Sequence, residues 1–143
     1  MTEVNFHTRV THPMAYACRL LRKAVRKGSR VVVTGPHATL SAFDAALWTF
    51  DPLDFVPHLM PTPGRPVASR FLETPVWLHA NPTDALHHQV LVNLGPEAPA
   101  GFESFERVIE IVGADDDSRL AGRERWKHYA SRGYAIVHHE VAE

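Results

Sequence analysis

The sequence is poor in cysteine. Cys18 is the only one among 143 residues, which excludes an internal disulfide framework and any zinc site built on several cysteines. Long hydrophobic runs are missing too: each apolar stretch is broken by a charge, a histidine or a proline well short of the ~18 residues of a membrane span. The N-terminus, Met1-Thr2-Glu3-Val4-Asn5-Phe6-His7, lacks the basic-then-apolar layout of a secretory signal. There is no G-x-S-x-G elbow, no phosphate-binding P-loop, no G-x-G-x-x-G and no H-E-x-x-H. Gly35 does follow a β-branched run and precede a helical pattern, where phosphates often sit, but Pro36 leaves few free backbone donors and the pair reads as a plain turn. A cytoplasmic chain with no membrane association, no catalytic constellation, no metal and no cofactor is expected.

What is present is ordinary for a folded domain. Hydrophobic residues make up 45% and charged residues 22% of the chain, so disorder is not expected and residues 1–143 should form one domain. Net charge is −1, which does not suit a bulk polyanion binder. The distribution is uneven, however. Residues 1–36 carry seven basic and one acidic residue, residues 37–117 three basic and twelve acidic, and residues 118–143 five basic and three acidic. Basic surface is therefore concentrated toward the two ends of the chain, where an anionic partner can be sought.

Periodicity supplies the elements. Val4 to Val10 alternates as a strand, and Pro13 suits the first turn of a helix running to Arg26, with Met14, Ala17, Cys18, Leu21 and Val25 on one face. Lys27-Gly28-Ser29 closes it. Arg30 to Thr34 is the continuous β-branched run of a strand buried on both faces. Leu40 to Phe50 reads as a second helix. Phe55 to Met60 is short, apolar and interrupted by Pro57, either a broken strand or an edge segment. Met60 to Pro75, with four prolines and a glycine, is a loop. Strands follow at Pro75 to His79, Gln89 to Leu94 and Phe105 to Val112, then a helix from Ser118 to Arg132 and a last strand from Tyr134 to His138. This order predicts an α/β sandwich with helices covering a largely parallel sheet, and right-handed crossovers would place the first two helices on one face.

Candidate chemistry is sparse. The ten histidines are scattered, and His87-His88 and His138-His139 would point to opposite faces of a strand. No cysteine or carboxylate cluster completes a ligand set around them, so they read as surface or boundary residues. Cys18 reads as a small core residue and Trp77 as a core aromatic. Trp48 ends the second helix and is expected to be partly exposed. The first helix carries Arg19, Arg22, Lys23, Arg26 and Lys27, with Arg30 beyond. These could face nucleic acid phosphates in a direct single-stranded DNA-binding module, but no aromatic residues interleave with them, and a solvated helix face accounts for them as well.

The third helix is more informative. Asp115-Asp116-Asp117-Ser118 supplies negative charge and a capping side chain at its start. At about 100° per residue, Arg119, Arg123 and Trp126 share one face, bordered by Lys127. Two guanidinium groups beside an indole suit a ligand that carries a carboxylate next to an apolar group. The other arrangement buries Trp126 and pairs the arginines with Asp115 to Asp117 or Glu124, and spacing alone leaves both open.

The ordered series Leu47-Trp48, Phe55-Val56-Pro57-His58, Pro75-Val76, Phe105-Glu106-Arg107-Val108-Ile109-Glu110-Ile111-Val112, Arg123-Glu124-Arg125-Trp126-Lys127-His128-Tyr129 and Gly133-Tyr134 resembles the chi subunit family of bacterial DNA polymerase III, essentially end to end. The resemblance implies a Rossmann-like three-layer sandwich with helices on both faces and no nucleotide-binding glycine loop. It also implies a non-catalytic adaptor of the replicative polymerase. Such an adaptor pairs with the psi subunit of the clamp-loader assembly and binds the acidic, phenylalanine-terminated tail of single-stranded DNA-binding protein, so that its association with DNA is indirect. Carried onto this sequence, the tail pocket falls on Trp48, Val112, Arg119, Arg123 and Trp126, and the psi-facing surface on Phe55, Val56, Pro57 and His58. Arg119 stands where the family often has lysine, which keeps the charge and changes its geometry. Trp126 stands where tyrosine is common.

Overall fold

Strands form where the sequence is β-branched and continuous, and helices where apolar residues recur at three and four. In the computed structural model, which describes residues 1–142, β1 is Glu3–Val10, α1 Pro13–Arg26, β2 Val31–Thr34, α2 His37–Thr49 and β3 His58–Leu59. Then come β4 (Val76–Leu78), β5 (Val90–Asn93), β6 (Arg107–Gly113), α3 (Asp116–Ser131) and β7 (Ile136–Glu140), with short 3-10 turns at Ser69–Phe71, Pro82–Asp84 and Phe102–Ser104. All seven strands lie parallel in one sheet, in the order β3-β4-β2-β5-β6-β1-β7. Every residue of β2 and β5 is buried, as their continuous apolar runs require in a sheet covered on both faces.

Two cores sandwich the sheet. On one face, Ala17, Cys18 and Leu21 of α1 and Leu40, Phe43 and Leu47 of α2 pack on Val31, Val33, Val76, Leu78 and Val92. On the other, Tyr129 of α3 packs with Phe102 and Phe105 on Val4, Phe6, Val32, Leu91 and Val108. The first two helices therefore share a face, with α3 opposite: a three-layer α/β sandwich. The caps act as the sequence suggests. Gly28 takes φ +83°, a conformation that favours glycine, just past the end of α1. The Asp115 side chain accepts from the Ser118 N–H at 3.0 Å to cap α3.

Most element bounds lie one to three residues from expectation, β7 for example at Ile136–Glu140 and α3 at Asp116–Ser131, and two of the differences are the largest. The segment read as Phe55 to Met60 pairs only at His58 and Leu59, an edge strand against β4, because Pro57 has no N–H to give to a ladder. Helix α2 starts at His37 rather than Leu40, with Pro36 in the extended conformation preceding it.

Candidate functional site

A groove of about 260 Å³ opens between α3 and the β1–β7 edge of the sheet. Val112 of β6, itself buried, lies at its floor with Gly122 of α3 above it. The two elements touch here because Gly122 has no side chain: a Cβ there would lie 2.9 Å from Val112 Cγ1 and 3.0 Å from Cγ2. Trp126 is half-buried rather than sealed, resting on Phe6 with ring centroids 4.9 Å apart and edge-on to His138 at 5.6 Å. Arg119 and Arg123 stand exposed over this apolar surface. Among the described residues Arg123 has no ion pair or hydrogen-bonding partner, and Arg119 makes a single exposed contact, 3.3 Å to Asp116 Oδ1. Of the two arrangements that spacing allowed, the structure has the open one. Four of the five residues carried onto this pocket, Val112, Arg119, Arg123 and Trp126, lie together.

Trp48 does not join them. It sits at the end of α2, on the opposite face of the sheet, and packs on Phe55 (centroids 4.8 Å apart) and His58 (5.2 Å) beside the β3 edge. Seven strands at ~4.8 Å spacing put the two edges roughly 30 Å apart, so one short ligand cannot use Trp48 and Trp126 together. Trp48 belongs instead with the second predicted surface. There Val56 is core and His58 is buried, its Nδ1–H donating to the Val56 carbonyl (2.7 Å) and its Nε2 3.1 Å from Asp44 Oδ1. Pro57 leads the chain into β3. Phe55 and Trp48 are the outward members, 48% and 60% exposed, and Leu53 projects nearby at 94%. Phe55 and Trp48 touch each other and so form a small exposed apolar patch at this edge.

Three of the six basic residues on and just beyond α1 have acidic partners. Arg22 pairs with Asp51 (2.6 Å), Arg26 with Asp54 and Arg30 with Glu73 (3.7 Å), and Arg19 lies over the Tyr16 ring. Three acids from the middle of the sequence thus fold back onto the basic first third, which lowers its positive charge.

Sequence reasoning missed two features. Below α3, Glu110 of β6 is fully buried and receives three partners: Arg125 Nε (2.8 Å), the Tyr129 hydroxyl (2.7 Å) and Asn93 Nδ2 (3.0 Å). Arg125 also donates to the Pro96 carbonyl at 3.1 Å. Burial pushes the Glu110 carboxyl above its ordinary range, while Arg125, Tyr129 and Asn93 pull it back. In sequence Glu110 looks like the polar half of an alternating strand, and its pairing with a residue fifteen positions later leaves no local signal.

The second feature is in β1. Its pairing with β6 runs in register from Glu3↔Arg107 to His7↔Ile111 and resumes at Val10↔Gly113, so β1 holds one extra residue. That bulge reverses the alternation. Val4 and Phe6 face α3, yet Val10, four residues beyond Phe6, lies in the core under α1. Arg9 absorbs the change with φ +59°, the one left-handed non-glycine residue among those described, and with Thr8 it lines the same groove as Arg119 and Arg123.

Comparison with known proteins agrees with this architecture. The profile of the family described as DNA polymerase III chi subunit, HolC, matches residues 1–137. A protein named DNA polymerase III subunit chi from Pseudomonas aeruginosa is 33% identical over 126 residues, covering 87% of this chain and 84% of its own length. A protein of the same name from Haemophilus influenzae is 30% identical over 124 residues, covering 84% and 81%.

Proposed function

The chain belongs to the DNA polymerase III chi subunit family, and from that premise we propose that it acts as a non-catalytic adaptor in DNA replication. Its groove on α3 holds the acidic, phenylalanine-terminated tail of single-stranded DNA-binding protein, and its β3-edge surface holds psi of the clamp-loader assembly. The observation that carries the first half is Arg123: an exposed guanidinium without a partner among the described residues, beside a half-buried indole, over an apolar floor. A chain end that combines a carboxylate with an aromatic side chain matches both halves of that surface. Arg123 would take the terminal carboxylate in a charge-assisted pair. Arg119, which gives up only an exposed contact to Asp116, would take acidic groups before it. Val112, Gly122 and Trp126 would bound the space for the ring.

The β3-edge surface supports the second half in a different way. Phe55 and Trp48 pack at a tilt on each other and against the buried His58, so they are already ordered before any partner arrives. A preordered aromatic pair is what a protein partner uses as an anchor, since little side-chain entropy remains to be lost. Direct DNA binding through α1 is the weaker reading, because Arg22, Arg26 and Arg30 already have acidic partners.

A contact with a short tail should be of about micromolar strength, ~8 kcal/mol, and should weaken as salt screens the arginines. Titration of the full chain with a tail peptide tests the reading. Arg123→Ala is expected to lose about 1.5–3 kcal/mol of binding, the range for a hydrogen bond to a charged group. Affinity unchanged by that substitution would sink the assignment of the groove.

A further inference from the structure

The groove has a third cation that neither the spacing of α3 nor the family resemblance supplies. Arg9 reaches it from the β1 bulge, across from the two arginines of α3. Two observations set it apart from an ordinary surface arginine. The first is its backbone. At φ +59° an L side chain costs roughly 1–2 kcal/mol relative to the right-handed region, and glycine would relieve that cost. The bulge itself serves the core, by turning Val10 under α1. The long cationic side chain at the bulged position takes no part in that packing, since Arg9 is 73% exposed.

The second observation is its partner. Arg9 Nη1 meets Glu140 Oε1 of β7 at 2.9 Å, on the strand that borders the groove. The two side chains are 73% and 54% exposed. An ion pair this open contributes about 0–1 kcal/mol, so an incoming carboxylate can take the place of Glu140 at little cost. Glu140 has Thr8 and His138 nearby, which hydrogen-bond to each other at 2.7 Å rather than to it.

We infer that Arg9 is a specificity-determining residue of this groove: its guanidinium receives an acidic side chain of a bound peptide, upstream of the chain end, and Glu140 stands in for that side chain while the groove is empty. The inference rests on the reading of the groove as a site for an acidic C-terminal tail, and it deepens that reading. It makes the groove a two-ended reader. Arg123 of α3 holds the terminus, and Arg9 joins Arg119 in testing whether negative charge precedes it. It also gives the free protein an internal competitor, so that affinity is set partly by how readily Glu140 yields.

The test uses the full chain and two synthetic peptides that end in phenylalanine with a free carboxylate, one rich in aspartate and one with those aspartates replaced by asparagine. Arg9→Gln should weaken the aspartate peptide roughly fivefold, the scale of an exposed ion pair, and leave the asparagine peptide unchanged. Glu140→Gln should strengthen the aspartate peptide about twofold to fivefold, and that gain should vanish when Arg9→Gln is also present. Arg9→Gly separates binding from folding: the relaxed backbone should hold or raise the melting temperature while the aspartate peptide still binds more weakly. If Arg9→Gln binds the aspartate peptide as the wild type does while Arg123→Ala remains defective, Arg9 has no part in recognition and this inference alone fails. If the wild type binds neither peptide, or Arg123→Ala changes nothing, the groove is not a tail site and both readings fall.

Discussion

Single residues decide how firmly α3 is held. Glu110 and Arg125 form a buried pair whose remaining capacity is taken up by Tyr129, Asn93 and the Pro96 carbonyl. Such a pair need add little stability as a whole, but removing one member strands the other in the core. Glu110→Ala is therefore expected to cost about 3–5 kcal/mol in urea unfolding, and the simultaneous replacement of Glu110 and Arg125 by apolar residues should recover much of that loss. Histidines set a second dependence. Burial, with help from His139, takes His7 down to about 4, and burial with Arg30, His88 and His79 takes His87 to about 4. Both ring nitrogens of His87 are buried without a hydrogen-bonding partner among the described residues. A histidine depressed in the folded state favours its neutral form there, so the unfolded chain binds more protons between about 4 and the ordinary value of 6.5. Stability should accordingly be full above pH 6.5 and decline as pH falls toward 4. Thermal melts across that range should show the decline, and His87→Leu should reduce it.

At the scale of elements, the contact of α3 with β6 controls the depth of the groove. Alanine at position 122 would be the better helix former by ~1 kcal/mol, but its Cβ would press on Val112 at 2.9–3.0 Å. Gly122→Ala should therefore fail to stabilise the chain, at a packing cost of about 1–3 kcal/mol, and should weaken the tail peptide. Val112→Ala combined with it should restore part of the stability, as a double-mutant cycle by denaturation would show. Elements were also where the sequence was most legible. Val31–Thr34 and Val90–Asn93 are buried strands because nothing but a covered parallel sheet suits such runs. The face shared by Arg119, Arg123 and Trp126 follows from helical geometry alone. The neighbours of Trp48 could not be read that way, since a helix pattern says which residues line up and not which strand lies across from them. Nor could the β1 bulge: Val4, Phe6, Thr8 and Val10 look like one uninterrupted face, and only the demand of the α1 core for Val10 breaks it.

The whole molecule is a plate with its two candidate surfaces at opposite edges and on opposite faces. Its charge segregation is reduced on folding, because Asp51, Asp54 and Glu73 return to Arg22, Arg26 and Arg30 of the basic first third. Surfaces this far apart without shared partners should act independently. Phe55→Ala is thus expected to leave affinity for the tail peptide within about 0.5 kcal/mol of wild type, and Arg123→Ala should spare capture of psi. Paired titrations of the single and double variants would reveal any coupling. The same layout has a mechanical consequence. Strand hydrogen bonds in a sheet run from edge to edge, so two partners tugging at β3 and at the β7 border would load the plate along those bonds. Tension in that direction peels rungs in succession rather than shearing them all together. The first to part would be the joint of β3 with β4, which has just two paired positions, His58↔Val76 and Leu59↔Trp77. Under strain this protein should fray at that seam, while the five-position joint of β7 with β1 holds.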